Sequence, residues 1–506
     1  DRRQKQEWNA PNQASIVSWL PGDDDHILMQ LAREDRIWPS VYKLNINNNK
    51  MKRVIKFRPT ILRWKTNDKG ELMAAFGYRD LKPIAFSIDR KKVREININH
   101  LIGANDPVPL AVAADNKSIW VSASNGEDTM GIHRISLANA EVLETLYHDP
   151  DYDVTHLFLD PLTKEPVASR VIREGFGYHW YDLEFEKQFI DVSANLPGTP
   201  SHVEVVSNSK DINRLILYSE GNGTQPGYYL YDRKERSVVS FLKLYGDVGP
   251  IKDLKAISYV SRDGVSIPAY LSLPTNENSG PFPTIILPHG GPWARDTDRF
   301  DYWVQFFHSR GYAVLKPNFR GSTGYGDRYM VAGFQQWGQL MQDDVIDGLG
   351  WMIEQGYTDP DRACIVGGSY GGYVAGVAAY KSPNLFRCAV SFAGVANLDD
   401  LANRWRQYLL GGTAAERIQS GELREQNSPH KNVNRISIPL LLIHGDVDRQ
   451  VMIEQSREFA AALEKAGKDY TYIEQANGNH HLSLQSHRVQ FFEVMDAFLQ
   501  EHLSPR

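Results

Sequence analysis

From about residue 252 to its C-terminus, the chain alternates near-continuous apolar segments with amphipathic ones. The apolar segments include PTIILPHGG, YAVLKPN, RACIVGG, FRCAVSFAG and PLLLIHGD. Apolar strands separated by helices are typical of a mostly parallel sheet covered on both faces. In such sheets, ligands bind beyond the carboxyl ends of the strands. The pattern therefore predicts a doubly wound α/β domain over residues 251–506, with its functional residues in the loops that follow the strands.

The first half of the chain consists of short strand-like stretches separated by polar turns. Their apolar centres recur near Tyr42, Phe86, Ile132, Trp180 and Tyr229, about 45 residues apart, which is the period of a four-stranded propeller blade. Five units with the same internal order favour an all-β propeller over residues 1–250, with a β-sandwich or two small β-domains as alternatives. The abrupt start, DRRQKQEWNAPNQ, is compatible with missing N-terminal blades.

Charge and composition exclude several classes of function. A net charge of -6 over 506 residues argues against the basic surface that nucleic-acid binding requires. No apolar run is long enough to span a bilayer, so we expect no membrane partner. With Cys364 and Cys388 as the only cysteines, disulfides are not expected to hold the fold together. That count suits the cytoplasm without excluding the periplasm.

A glycine-rich stretch, GGSYGGY, follows the apolar segment ACIV and precedes a helix-like run. It contains the pattern G-x-S-x-G at Gly367, Ser369 and Gly371. In a nucleophile elbow this pattern places the serine on a strained strand-to-helix turn, where the glycines permit close backbone approach. A glycine-rich turn that merely contains a serine is the alternative. The position of Ser369 at a predicted strand end favours the elbow.

Candidate partners for the serine follow later in the chain. A serine hydroxyl needs a base, and the base needs a carboxylate that holds its tautomer. The segment HGDVDRQV offers Asp446 and Asp448 after one strand, and QANGNHHLSL offers His480 and His481 after the next. The order Ser, acid, His is that of α/β-hydrolases.

Four segments together resemble the prolyl oligopeptidase family of serine peptidases: GGSYGGY, HGDVDRQV, HGGP and NFRGSTGYG. Within that family, the acylaminoacyl-peptidase and dipeptidyl-peptidase-like branch is the most similar. The resemblance covers Ala256 to the C-terminus through motifs, and the first half through architecture only. It implies an α/β-hydrolase catalytic domain preceded by a β-propeller that restricts access to short peptides.

The same resemblance implies roles for individual residues. The family pattern H-G-x-x-D-x-x-V falls on His444 to Val451 and makes Asp448 the triad acid, while Asp446 is a turn residue. The family's catalytic histidine corresponds to His480, with His481 as the alternative one position later.

Oxyanion donors and substrate contacts also follow from the resemblance. The backbone amides of Tyr370 and Gly291 are the expected oxyanion donors. Gln450 aligns with a position that contacts a substrate carbonyl, and Trp405 and Tyr408 are candidates to line the pocket for the substrate side chain.

The sequence thus predicts a serine peptidase that acts on oligopeptides and needs no metal or organic cofactor. A carboxylesterase with the same triad is one alternative, and an inactive propeller-based binding protein is another. The adjacent Asp343 and Asp344 are interpreted as solvated or structural. The sequence leaves open whether the chain forms homo-oligomers and in which compartment this soluble protein resides.

Overall fold

The structure is a computed structural model. It describes residues 14–503 except residues 91, 199, 210, 222, 247–250, 275–279 and 409. The starting stretch DRRQKQEWNAPNQ and the predicted domain boundary at residue 250 lie outside the described residues. The chain divides into two compact units, of which the first holds the residues up to Val171 together with Tyr178–Glu186 and Tyr325–Asp327. The boundary at residue 250 stays a prediction, since the last sheet of the first half falls within the second unit.

Five antiparallel sheets follow one another over the first half, each built from strands in chain order. They confirm the five predicted units and are the blades of the β-propeller. Their strands are β1 (Ala14–Ser18), β2 (His26–Leu31), β3 (Ser40–Asn45), β4 (Met51–Ile55), β5 (Ile61–Thr66), β6 (Leu72–Arg79), β7 (Lys82–Asp89), β8 (Lys92–Ile96), β9 (Val108–Val112), β10 (Ser118–Ala123), β11 (Gly131–Ser136), β12 (Val142–Tyr147), β13 (Val154–Leu159), β14 (Pro166–Ile172), β15 (Phe176–Trp180), β16 (His202–Asn208), β17 (Arg214–Gly221), β18 (Thr224–Asp232) and β19 (Ser237–Lys243).

Strand β10 shows why these apolar stretches form blades. Ile119 and Val121 pack into one apolar cluster, whereas Trp120 between them packs into another. Successive side chains of a strand point to opposite faces. Every residue of β10 is buried, including its two serines, so the strand is covered on both faces.

The fourth sheet departs from the predicted pattern, because the segment YHWYDLEF does not continue as a strand. The Asp182 carboxylate accepts hydrogen bonds from the amides of Glu184 and Phe185, at 2.9 and 3.1 Å. This capping starts helix α1 (Leu183–Ala194) immediately after β15. The sheet consequently has three strands in the described part of the chain.

The second half forms an eight-stranded, mostly parallel sheet in the order β20-β21-β23-β22-β24-β25-β26-β27. Asp263 and Gly264 lie in the turn between β20 and β21, which pair antiparallel as a hairpin. The strands are β20 (Lys255–Val260), β21 (Ser266–Ser272), β22 (Phe282–Ile286), β23 (Ala313–Pro317), β24 (Thr358–Gly368), β25 (Cys388–Phe392), β26 (Leu440–Gly445) and β27 (Tyr470–Gln475).

Helices cover both faces of this sheet, which gives the predicted α/β-hydrolase architecture. Two neighbouring residues of β22, Ile285 and Ile286, show that both faces are covered. They belong to two different apolar clusters, and each cluster contains residues from helices. No helix among the described residues is long and apolar enough to cross a membrane. The helices are α2 (Tyr302–Ser309), α3 (Gly326–Val331), α4 (Leu340–Glu354), α5 (Tyr370–Lys381), α6 (Leu398–Trp405), α7 (Gly411–Ile418), α8 (Glu422–Gln426), α9 (Glu454–Lys465) and α10 (Gln485–Leu503).

The two cysteines lie directly opposite each other on β24 and β25. They form a disulfide between Cys364 and Cys388, with the Cα atoms 4.9 Å apart. The expectation of a fold without disulfides is therefore wrong. The cysteine count could not show that the parallel register would place both residues side by side.

The adjacent carboxylates of α4 have different environments. The Asp344 side chain is fully buried and accepts hydrogen bonds from the Arg320 guanidinium at 2.7 and 2.8 Å. Arg320 also binds Asp263, so its buried charge has two partners. Asp343 forms one ion pair, at 3.2 Å, with Arg262, whose side chain is 52% exposed. Asp344 is therefore structural, which is one of the two interpretations that the sequence offers for this pair.

We predict that Asp344→Ala destabilises the fold much more than Asp343→Ala. Removing one partner of a buried ion pair costs about 3–5 kcal/mol, and the buried Arg320 would then retain the partly exposed Asp263 as its partner. An exposed pair contributes about 0–1 kcal/mol. Urea unfolding and the thermal midpoint of the two variants provide the comparison. Equal midpoints for both variants would contradict a structural role of Asp344.

Candidate active site

Ser369 occupies a strained turn between β24 and α5. Its φ and ψ are 58° and -120°, a region that non-glycine residues rarely adopt. The surrounding glycines permit very close backbone contacts. A Cβ on Gly367 would lie 2.3 Å from the carbonyl carbon of Gly371, and a Cβ on Gly371 would lie 2.1 Å from the Pro288 carbonyl oxygen. This is the geometry of a nucleophile elbow.

The candidate acid and the candidate base lie in loops that follow two other parallel strands, at the same edge of the sheet as Ser369. Asp448 lies in the loop after β26, and His480 lies in the loop after β27. The Nδ1 atom of His480 is 2.6 Å from the Asp448 Oδ2 atom. The structure therefore brings together Asp448 and His480, in the chain order expected after Ser369.

Asp446 is exposed and has a different role in the loop. Its backbone amide donates to the carbonyl oxygen of Gln475 at 3.1 Å. Its side chain accepts no hydrogen bond from His480 or His481 in the part of the chain that the structure describes. This is the arrangement expected of a turn residue.

Four donors surround the Asp448 carboxylate. The backbone amides of Gln450 and Val451 donate to Oδ1 at 2.8 and 3.0 Å. His444 Nε2 lies 3.3 Å from Oδ2, to which His480 also binds. Burial acts to raise the pKa of Asp448, but the hydrogen bonds from His444, His480 and the Gln450 amide outweigh it and hold that pKa well below its usual range. The carboxylate is therefore ionised at any pH near neutrality.

The two adjacent histidines have different partners. The His480 side chain is 10% exposed and lies against Asp448, whereas the His481 Nε2 atom is 2.9 Å from the Gln450 side-chain nitrogen. No hydrogen bond joins the Ser369 hydroxyl to either ring among the described residues. Catalytic hydrogen bonds are often long in unliganded enzymes and tighten in the substrate complex.

Two backbone amides are available near Ser369. Tyr370 is the first residue of α5, so its amide has no intrahelical acceptor. The Gly291 amide has no acceptor among the described residues, and Gly291 adopts a φ of +128° that favours glycine. A Cβ on the neighbouring Gly290 would lie 3.4 Å from the Ser369 Cβ. The loop after β22 is therefore packed directly against the Ser369 turn.

A cavity of about 280 Å³ opens beside Ser369. The sequence-predicted residues Gly291, Tyr370, Trp405, Tyr408 and Gln450 all line it. The Trp405 ring packs 5.8 Å from that of Trp293 and 6.2 Å from that of Trp337. The other lining residues are Trp337, Val395, Leu401, Arg449 and Val451.

The chain is similar to several known peptidases and to one protein family. Residues 298–506 match the model of the prolyl oligopeptidase family. The chain is 29% identical over 417 residues to dipeptidyl aminopeptidase BIII of Pseudoxanthomonas mexicana, covering 79% of this chain and 60% of that protein. It is 25% identical over 522 residues to dipeptidyl peptidase family member 6 of Caenorhabditis elegans, covering 94% of this chain and 70% of the relative.

Residues 298–506 form a prolyl oligopeptidase family domain. A solved puromycin-hydrolyzing peptidase of Mycobacterium tuberculosis has the same fold, with a TM-score of 0.71 and 18% identity, over 98% of this chain and 87% of that one. The predicted family and its propeller-plus-hydrolase architecture are confirmed.

Sequence reasoning missed some residues of the family domain. Trp337 is 1% exposed and packs against the rings of Tyr370 and Trp405, which line the cavity beside Ser369. Its segment follows β23, so the rule that ligands bind beyond strand ends could have identified it. The sequence identifies His444 only as the first residue of the family pattern, because its contact with Asp448 depends on the turn between them.

We predict that Asp448→Asn lowers the rate at which a fluorophosphonate labels Ser369, whereas Asp446→Asn leaves that rate unchanged. An amide in place of the carboxylate favours the wrong imidazole tautomer, and the equivalent change in serine proteases costs about 10⁴ in kcat. The measurement is the second-order labelling rate of each variant. Equal losses for both substitutions would show that Asp448 has no special relation to Ser369.

Proposed function

We propose that this protein is a serine peptidase that hydrolyses short oligopeptides through an acyl-enzyme. Ser369 is the nucleophile, His480 the general base and Asp448 the acid that orients the base. The observation that carries the proposal is the 2.6 Å contact between His480 Nδ1 and Asp448, at the sheet edge that bears the strained Ser369 turn. The family domain and the names of the relatives support peptide substrates.

The acylation step uses each of these groups once. The Ser369 Oγ atom attacks the scissile carbonyl carbon while the Nε2 atom of His480 takes the hydroxyl proton. The ionised Asp448 accepts the Nδ1–H bond and stabilises the imidazolium. The carbonyl oxygen becomes an oxyanion, which the amides of Tyr370 and Gly291 stabilise. Collapse of the tetrahedral intermediate breaks the C–N bond, and the leaving amine takes the proton from His480.

Deacylation repeats the sequence with water as the nucleophile. His480 takes a proton from the water molecule as its oxygen attacks the acyl carbon of the Ser369 ester. The second tetrahedral intermediate forms in the same oxyanion site. Its collapse releases the carboxylate product and returns the proton to the Ser369 oxygen.

Selection of the substrate side chain rests on the cavity beside Ser369. Trp337, Trp405 and Tyr408 give it an aromatic wall, and Val395 and Leu401 add aliphatic surface. Burying an aromatic or large aliphatic side chain against such a wall contributes about 1.5–3 kcal/mol. We therefore propose that the residue on the acyl side of the cleaved bond is apolar, with Gln450 in contact with the peptide backbone.

We predict that a mixed peptide library is cleaved after apolar residues and that Ser369→Ala abolishes this cleavage. Loss of a triad nucleophile typically costs about 10⁶ in kcat. Cleavage sites are read by mass spectrometry, and unchanged circular dichroism serves as the control for folding. Turnover of esters without any cleaved peptide would identify a carboxylesterase, and neither reaction would identify a binding protein.

We predict that His480→Ala behaves like Ser369→Ala, whereas His481→Ala retains most of the peptidase activity. Of the two adjacent histidines, only His480 contacts the buried Asp448 carboxylate, and a single base suffices for the proton transfer. The kcat values of the two variants on one peptide decide the assignment. The reverse pattern would identify His481 as the base.

A further inference from the structure

We infer that His481 is a positioning residue that turns the Gln450 amide so that its oxygen faces the substrate, where it accepts a hydrogen bond from a backbone N–H. This inference rests on the proposed function. The mechanism above gives no role to His481, and the family resemblance assigns to Gln450 only a contact with a substrate carbonyl. The partners of the two side chains indicate a different arrangement.

The contact between the two side chains joins two nitrogen atoms. Gln450 Nε2 lies 2.9 Å from His481 Nε2. An amide nitrogen can only donate a hydrogen bond, whereas a neutral imidazole has one nitrogen that accepts. Gln450 is therefore the donor, and the Nε2 atom of His481 carries no proton in this arrangement.

The Gln450 side chain is fixed at both ends. Its backbone amide donates to Oδ1 of Asp448 at 2.8 Å, so the base of the side chain is tied to the proposed triad acid. The last torsion of a glutamine is broad and roughly two-fold, so the side chain itself does not select between the two directions of its amide. The contact with His481 makes that selection, because it holds the nitrogen on one side.

His481 is itself held by the loop after β27. Its backbone amide donates to Asn479 Oδ1 at 3.1 Å, and Asn479 Nδ2 donates to the Ser483 hydroxyl at 2.9 Å. The His481 ring meets that of His480 at right angles, with ring centroids 5.4 Å apart. The acceptor for the Gln450 nitrogen therefore comes from the same loop as the proposed base.

The cavity beside Ser369 shows which atom of the amide is left for the substrate. Gln450 lines that cavity, whereas His481 is not among its lining residues. The amide nitrogen thus points to a residue outside the cavity lining. Oε1 of Gln450 accepts no hydrogen bond from any residue that the structure describes, so both of its lone pairs are available to a substrate.

An acceptor at this place complements the other polar groups of the cavity. The Tyr370 and Gly291 amides and the Arg449 side chain are donors, which suit the carbonyl oxygens of a peptide. A peptide also presents one N–H for each residue except proline, and burying that N–H without an acceptor is costly. We therefore expect substrates to carry an N–H, and not a proline nitrogen, at the residue that reaches Gln450.

Four substitutions separate the amide oxygen from the amide nitrogen. Both side chains are exposed, so these changes leave the apolar core intact. Gln450→Glu keeps an acceptor and removes every N–H, whereas Gln450→Met removes both and keeps the length. His481→Glu is an acceptor that can hold the Gln450 nitrogen in place, whereas His481→Lys can only donate and turns the amide around. Asp446→Asn, exposed on the same loop as Gln450, is the control.

The substrates are one peptide that the wild type cleaves and its single N-methyl derivatives at each backbone nitrogen on the acyl side of the cleaved bond. N-methylation removes one donor and keeps the carbonyl. The measured quantity is the ratio of the KM of each derivative to the KM of the parent peptide, in which effects common to both peptides cancel.

We expect one derivative to show a KM ratio of about three to ten in the wild type, which corresponds to the loss of one hydrogen bond. Gln450→Glu, His481→Glu and Asp446→Asn should keep that ratio. Gln450→Met and His481→Lys should lower it to near one and should raise the KM of the parent peptide by a similar factor.

Three results would overturn the inference. If no derivative shows a ratio that depends on Gln450, this side chain accepts no N–H from the substrate. If Gln450→Glu behaves like Gln450→Met, the amide acts through its nitrogen. If His481→Lys keeps the wild-type ratio, His481 does not set the direction of the amide. Each of these results requires a wild type that cleaves the parent peptide, whereas a wild type that cleaves no peptide overturns the proposed function together with this inference.

Discussion

The candidate site depends on one close backbone contact, between Gly371 at the start of α5 and the Pro288 carbonyl at the end of β22. A Cβ at residue 371 would lie 2.1 Å from that oxygen, so only glycine permits the approach. The contact holds the loop from His289 to Gly291 against the Ser369 turn. The two proposed oxyanion donors come from these two segments, so their spacing is set by the same contact.

The Asp448 carboxylate is the second fixed point of the site. Two backbone amides bind one of its oxygens, and two histidines approach the other. A buried charge is expensive unless its lone pairs are satisfied. Here they are satisfied by two amides of its own loop, by His444 on β26 and by His480 in the loop after β27. The carboxylate is therefore held in one orientation, and it transmits that orientation to the His480 ring.

Much of the fold and of the candidate site was predictable because the sequence patterns that indicate them are local. Glycines at residues 367 and 371 mark an elbow by their spacing alone, and the alternation of strands and helices places Asp448 and His480 at the sheet edge. The choice between His480 and His481 depends on how the loop after β27 turns, which no periodicity records. Helix α1 was missed because the capping by Asp182 overrides a strand-like run of aromatic residues. The sequence left open whether Asp343 and Asp344 are solvated or structural, because Arg320, the partner of Asp344, lies 24 positions away in sequence.

The proposed oxyanion donors are backbone amides. For this reason, the residues that support them are difficult to identify from the sequence. A side-chain donor would be visible as a residue type, but a backbone amide is present at every position except proline. What distinguishes Gly291 is its unoccupied N–H and the direction of its peptide plane, and both depend on neighbours. His289 Nδ1, for example, lies 2.7 Å from the Gly290 carbonyl oxygen, and His289 Nε2 lies 2.9 Å from the Ser322 hydroxyl. The proposed backbone donors therefore depend on how the loop after β22 folds against its neighbours, and residue type alone does not reveal them.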